Sequence, residues 1–337
     1  MAAALAPATG SAAPTRSYWG AQIGPQLTGG QAPWDMGAVS AFEGIAGKKL
    51  SLIHFAAPFA SCTASGCAYQ SFPTTPLNNI RSHGSIPLFS WSSQATPSSL
   101  SQPDYQLADV IAGQHDAYIR TFATAAKAWG KPFFLRFNWE MNGDWFSWSE
   151  GVNGNQPGEY VAAWRHVRDI FTSVGAKNVS WVWCPYTDPN GRLLSLSSQY
   201  PGDAYVDWTC LDGFNWGTNP AGPNPGWRSF DRIFSSTYHQ ITDTVAPSKP
   251  MLLGEVASTE YGGSKAGWIT NMFSWLPTLY PKIRGLTWFD RYADGMDWPI
   301  ETSTTASNAF AKGIRDQYYV ANSYGTITKS PIAPPGG

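Results

Sequence analysis

Apolar residues along this chain fall into short dense runs separated by longer segments of helical spacing. The dense runs are Tyr18–Gly24, Leu50–Phe59, Ser85–Ser92, Phe133–Phe137, Val179–Pro185, Leu211–Trp216, Pro250–Val256 and Ile283–Asp290. Near-continuous apolar character over such short lengths predicts strands covered on both faces. The helical pattern appears over Trp34–Ala46, Asp104–Trp129, Glu159–Val174, Ser229–Val245, Lys265–Leu276 and Ser307–Tyr318. Over Asp104–Trp129 one stripe holds Leu107, Val110, Ile111, Tyr118, Ile119, Phe122 and Trp129, and Gly130 is placed to end the helix. Over Glu159–Val174 the stripe is Val161, Trp164, Val167, Ile170, Phe171 and Val174, closed by Gly175. Eight strands, each followed by a helix or long loop, predict an α/β fold, a single-domain (β/α)8 TIM barrel. Two smaller α/β domains would need a linker in the middle of the chain, and none divides it. The barrel is expected over residues 17–322. Residues 1–16 read as a flexible N-terminal segment, and 323–337 as a tail or the start of a linker.

Function on such a barrel gathers where strands end. The fourth run turns polar and aromatic there, in Phe137-Asn138-Trp139-Glu140-Met141-Asn142-Gly143-Asp144-Trp145. The seventh delivers a second carboxylate, Glu255, from Met251-Leu-Leu-Gly254. The other strand ends offer Trp91, Trp183, Asn215, Trp216 and Trp288. A single Glu after an apolar strand reads most simply as half of a salt bridge. Two on nearly opposed strands, among indoles and amides, read as the acid and nucleophile of glycoside hydrolysis. Trp288 is then the expected platform under the sugar at the cleavage point, and Trp145 and Trp148 are subsite walls. Arg136 either orients a carboxylate or sits in an internal ion pair. Asn142 and Asn215 are hydroxyl or carboxylate ligands, His54 is a pocket or core histidine, and His166 is structural. Asp294 and Asp297 read by default as solvated loop residues, with calcium or sugar as the alternative.

Composition narrows the partner. The net charge is −1 and charged residues make up 13%, so no basic stripe suits nucleic acid. No apolar run approaches a membrane span. The load of 17 Trp and 15 Tyr exceeds what packing alone needs, and flat rings beside hydrogen-bonding groups suit pyranose faces. No Gly-rich phosphate loop precedes a helix and no Gly-x-Ser-x-Gly elbow occurs, so neither cofactor nor metal is expected. Cys62 and Cys67 bracket a short loop and read as a disulfide, which implies an oxidising compartment and a secreted protein. Cys184 should end one strand and Cys210 begin the next, at opposite ends of a barrel, so their pairing stays open.

Leu135-Arg136-Phe137-Asn138-Trp139-Glu140-Met141-Asn142-Gly143-Asp144-Trp145 resembles the acid/base motif of family 26 glycoside hydrolases, roughly Arg-Pro-x-His-Glu-Met-Asn-Gly-x-Trp. The likeness runs over about residues 17–320, through Trp164-Arg-His166, Asn178–Trp183, Asp207 to Asn215, Gly254-Glu255, Trp288-Phe289 and Asp297-Trp298. It implies a retaining β-glycanase with Glu140 as acid/base and Glu255 as nucleophile. Arg136, Asn138, Trp139 and the strand-end residues above are then its substrate contacts. β-1,4-Mannan is the commonest family substrate, and mixed-linkage or β-1,3-glucan and β-1,3-xylan are alternatives. Two departures bear on sugar choice: Trp139 stands where the family has His, and Phe214 where a Tyr commonly helps hold the nucleophile. A carbohydrate-binding barrel without catalysis is the rival class. The expected partner is a β-linked polysaccharide or oligosaccharide, with no nucleic acid or membrane, and the expected state is a monomer.

Overall fold

A computed structural model describes residues 15–188, 190–219, 222 and 226–336, so most of the expected N-terminal segment lies outside the described residues. Among the described residues nine strands form one sheet: β1 (Tyr18–Ile23), β2 (Leu52–Thr63), β3 (Gly66–Tyr69), β4 (Ile86–Thr96), β5 (Phe133–Phe137), β6 (Val179–Trp183), β7 (Trp208–Asn215), β8 (Met251–Ser258) and β9 (Ile283–Asp290). All but β3 run parallel in the order β1-β9-β8-β7-β6-β5-β4-β2, and a β1–β2 pairing closes the ring. This is the predicted (β/α)8 barrel. Helices α1 (Met36–Ala46), α2 (Thr74–His83), α3 (Leu107–Ile111), α4 (Asp116–Trp129), α5 (Glu159–Val174), α6 (Leu196–Gln199), α7 (Phe230–Gln240), α8 (Lys265–Leu279) and α9 (Thr304–Ile314) occupy the connections. None is long and apolar enough to cross a membrane.

Two separate cores explain why the strands are apolar on both faces. Tyr18, Leu52, Ile86, Leu88, Phe134, Val182, Trp208 and Leu252 fill the barrel interior. Their strand neighbours, among them Trp19, Phe89, Leu135 and Trp181, belong to the larger core between sheet and helices. Because successive side chains alternate faces, each strand contributes to both.

Four features depart from the sequence reading. The continuous helix over 104–129 is two, α3 and α4, separated by a turn in which Gly113 takes φ +82°, a conformation costly for other residues. Strand β2 continues past the barrel rim into a hairpin with β3, in which Cys62 lies opposite Cys67 and the predicted disulfide joins them. Cys184 and Cys210 are also bonded, so the placement at opposite barrel ends is corrected. The stagger between β6 and β7 pairs Trp183 with Thr209, which brings the next residues on each strand together in the interior. Finally, the segment read as a tail or linker start packs into the N-terminal mouth of the barrel. Ile332 joins the interior core, and its carbonyl accepts from Trp208 Nε1 at 2.8 Å.

Candidate active site

At the C-terminal end of the barrel, backbone irregularities bring three carboxylates together. Leu211 pairs with Leu253, but Asp212 pairs with Glu255, so Gly254 forms a bulge that turns Glu255 to the same side as Asp212. A methyl group on Gly254 would lie 2.5 Å from Cys210 Sγ, 2.6 Å from Asp212 Oδ1 and 2.7 Å from Arg136 Nη1, so only glycine fits. The third carboxylate follows β5, where Asn138 and Glu140 take φ +42° and +54°. Positive φ at two non-glycine residues is strain of the kind that clusters at functional sites. Tertiary contacts hold it: the Asn138 side chain accepts from Ser93 N at 2.8 Å and donates to Ser93 Oγ at 2.7 Å, and Glu140 N donates to Cys184 O at 2.7 Å.

Oxygens of Glu140, Asp212 and Glu255 lie within 4.8 Å of one another. Arg136, fully buried, is their counter-charge. Its Nη1 donates to Asp212 Oδ2 at 2.6 Å, its Nη2 to Glu255 Oε1, and its Nε to Ser90 Oγ at 2.7 Å. Ser90 Oγ, accepting from Arg136, also hydrogen-bonds His54 Nε2 at 2.7 Å. Burial, then the charges of Arg136 and Arg291, pushes the His54 pKa well below the ordinary histidine range, so the ring is neutral. Trp139 lies against the Arg136 guanidinium at 4.9 Å and screens it from the cleft.

Among the described residues, Glu140 has no direct cationic partner. Burial, reinforced by the Glu255 charge, pushes its carboxyl up to about 7, against the Trp145 hydrogen bond and the Arg136 charge. Trp145 Nε1 donates to Glu140 Oε2 at 2.6 Å. Burial likewise pushes Asp212 well above the ordinary carboxylate range, with Arg136 opposing it. The cluster therefore retains a proton close to neutrality while Glu255 faces a guanidinium. A proton donor and a carboxylate on opposite sides of a gap this wide can act on one bond placed between them.

The cleft above has a volume of about 560 Å³. Of the residues predicted from sequence, Glu140, Glu255, Trp139, Trp145 and Trp216 line it, and Arg136 and His54 lie beneath. Trp91, Trp183 and Trp288 do not line it. They point outward into the core between sheet and helices, where Trp91 stacks on Phe122 (4.3 Å, 15°) and Trp288 meets Phe310 (5.5 Å). Trp183 Nε1 bonds Gln199 O on the same outer face. The expected sugar platform at Trp288 is thus corrected to a packing residue, and its strand neighbour Phe289 lines the cleft instead. Trp148 is buried behind Trp139, donating to its carbonyl at 2.8 Å. Asn138, Asn142 and Asn215 are buried ties. Asn142 clasps both backbone groups of Tyr186, and Asn215 bonds Ser258 Oγ. His166 pairs with Asp116 at 2.6 Å between α4 and α5, as a structural histidine would. Asp294 lines the cleft, while Asp297 accepts from Thr259 Oγ1 and Glu260 N, so the two do not form one site.

Sequence reasoning missed Asp212, Tyr186, Gln22, Phe289 and Arg291. Asp212 carried a readable signal, a charge inside an apolar strand at the same alternation as Cys210. The Tyr186 ring meets the Trp145 ring edge-on at 5.1 Å, and its hydroxyl accepts from Trp216 Nε1 at 3.1 Å.

Comparison with known proteins places this geometry. The family model described as glycosyl hydrolase family 26 matches residues 58–247. The chain is 36% identical to Endoglucanase H of Acetivibrio thermocellus over 282 residues, which is 82% of this chain and 29% of that protein. It is 30% identical over 168 residues to the mannan endo-1,4-beta-mannosidase A and B of Caldalkalibacillus mannanilyticus, 46% of this chain and 27% of that protein. The chain therefore spans under a third of the length of these relatives. Among solved structures, the catalytic domain of the Bacillus sp. JAMB-750 GH26 endo-beta-1,4-mannanase superposes with a TM-score of 0.69 at 16% identity. That match covers 93% of this chain and 91% of that one.

Proposed function

We infer the activity from one premise: the chain belongs to glycosyl hydrolase family 26. It is a secreted retaining β-glycanase. Glu140 protonates the glycosidic oxygen while Glu255 attacks the anomeric carbon. The glycosyl-enzyme ester is then hydrolysed by water that Glu140, now a carboxylate, deprotonates. The observation that carries this reading is the separation of the carboxylates, within 4.8 Å at their nearer oxygens. An inverting enzyme must fit a water between them and holds its carboxyls ~6.5–9.5 Å apart. The Arg136 guanidinium bonds Glu255 and aims it, while burial raises the Glu140 carboxyl toward its protonated form, so the two carboxyls take opposite roles.

For the sugar, the relative matched over most of the chain is named an endoglucanase, and this favours a β-glucan. β-1,4-Mannan, expected from the family resemblance, is the second reading, supported by the mannosidase relative over a shorter span. Trp139 and Phe214 present apolar surface to the cleft, which suits the axial C–H face of a sugar with equatorial hydroxyls more than an axial hydroxyl. The test is reducing-sugar release from β-mannan, galactomannan, mixed-linkage glucan, β-1,3-glucan and xylans by the parent, Glu140→Ala and Glu255→Ala. We expect release from a β-glucan, with a loss of at least ~10³-fold in both variants. Silence of the parent on every polymer, with binding to one retained, would mark a carbohydrate-binding barrel instead.

A further inference from the structure

Beneath the three carboxylates the barrel interior carries a covalent crosslink. Cys184, the residue after β6, is bonded to Cys210 on β7, and both are fully buried beside Phe134, Val182, Trp208 and Leu252. The upper side of the bridge meets charge instead. Arg136 Nη1 lies 3.6 Å from Cys184 Sγ, and Asp212 Oδ1 lies 3.2 Å from the same sulfur. Cys210 Sγ packs against Gly254, the bulge that presents Glu255. The bridge therefore touches the supports of the carboxylates without lining the cleft itself.

It also sits at a short seam of the ring. Within the strands β6 and β7 pair at two positions, Val182 with Trp208 and Trp183 with Thr209, whereas β1 and β9 pair at six. Where that ladder stops, Cys184 is held to β7 through its side chain. The same residue holds the acid, because its carbonyl accepts from Glu140 N at 2.7 Å. Glu140 takes φ +54°, a conformation that persists only where surrounding contacts impose it. Cys184 thus connects two parts of the site: a hydrogen bond to Glu140 on one side and a covalent bond to the strand of Asp212 on the other. A crosslink serving stability alone could join these strands anywhere. At this position, a shift of the linked backbone carries the acid with it.

Resting on the glycosidase reading above, we propose that Cys184 and Cys210 are positioning residues whose disulfide fixes the backbone at Cys184 and so sets where the Glu140 carboxyl stands against the glycosidic oxygen. The sulfurs act through Glu140 and not on the sugar. A displacement of about 1 Å at a reacting group can cost on the order of 10²-fold in rate, so a small loosening of this seam is enough to matter.

The test separates proton donation from the rest of the reaction. A sugar oxygen must be protonated as it leaves, whereas dinitrophenolate leaves without a proton. The parent, Cys184→Ala/Cys210→Ala and Cys210→Val are compared in kcat/KM on the polymer that the parent degrades and on a dinitrophenyl glycoside of its disaccharide. Both variants should lose about tenfold or more on the polymer and stay within about twofold on the aryl glycoside. Both should also melt at a lower temperature, because the crosslink restrains the unfolded chain, so the assays are run well below that point. Equal losses on the two substrates, or none on either, overturn the positioning role and leave a stabilising bridge. A further measurement needs no variant to fold. Alkylation of the denatured parent without reductant should label none of its four cysteines, and label on Cys184 and Cys210 overturns the proposal. A parent that degrades no polymer overturns the glycosidase reading itself, and the positioning role with it.

Discussion

The raised pKa of Glu140 is made by few side chains, and one of them can be removed. Burial and the Glu255 charge push the carboxyl up, and the Trp145 Nε1–H bond stabilises its ionised form and pulls it down. A general acid works while protonated, so kcat/KM should fall as pH rises through about 7. Trp145→Phe removes the donor, which raises the pKa further, and the alkaline limb of the pH–rate profile should move to higher pH. The maximal rate should drop as well, because Trp145 also walls the cleft. A limb that stays in place or moves down would mean that Trp145 does not set the acid's charge state. At this scale the sequence was informative about chemistry and poor on direction. The place of Glu140 and Glu255 in the cleft was legible because carboxylates end apolar strands. Trp91, Trp183 and Trp288 at the strand ends were misread by one position of alternation. Ser90 pairs with Arg136 and Trp91 with Phe137, so once Arg136 is placed inside the barrel, Trp91 must face out. Gln22 and Arg291 carry no pattern that sets them apart from ordinary polar residues.

Among the elements, β8 shows how a strand gives up regularity to place a cleft carboxylate. The Gly254 bulge shifts the register so that Glu255 lies beside Asp212, and Thr287 Oγ1 accepts this arrangement by donating to the Gly254 carbonyl. Gly254→Ala would force a methyl group into Cys210, Asp212 and Arg136. It should destabilise the fold by about 2–4 kcal/mol in urea unfolding and remove most of the activity, since Glu255 and Arg136 would separate. A variant of parental stability and activity would show that the strand can relax around the added carbon. Bulges are hard to read from sequence, because a strand with one extra residue has nearly the same apolar pattern. The glycine beside the glutamate is the visible trace. The same limit explains the helix break at Gly113: the apolar stripe continues in phase across α3 and α4, and only the glycine marks the turn.

In the whole molecule, the two ends of the barrel have different tasks, and the last residues serve the end opposite the cleft. Tyr324 and Ile327 offer carbonyls to Arg81 at 3.1 and 2.8 Å, Tyr324 packs edge-on against Tyr18 at 5.0 Å, and Ala333 accepts from the Tyr18 hydroxyl at 2.8 Å. Ile332 enters the interior between strands, where Ser180 Oγ accepts from its amide at 2.8 Å. A Pro- and Gly-rich ending reads as a linker because it has no periodicity, yet irregular backbone can still close a barrel when one apolar side chain and several carbonyls meet waiting partners. Deleting residues 323–337 would expose the interior around Leu52, Phe134 and Trp208 and leave Trp208 Nε1 and the Arg81 guanidinium without these acceptors. Loss of the Ile332 burial alone is worth about 1.5–3 kcal/mol, and the freed polar groups add to it. The truncated protein should therefore unfold at a temperature several degrees lower, while kcat/KM at room temperature stays within about twofold of the parent, because the plug's hydrogen bonds named above run to Tyr18, Arg81, Ser180 and Trp208, none of which lines the cleft. Equal melting temperatures would show that the segment only rests on the barrel. A loss of activity without a loss of stability would instead reveal coupling between the two ends through the buried Arg136 layer.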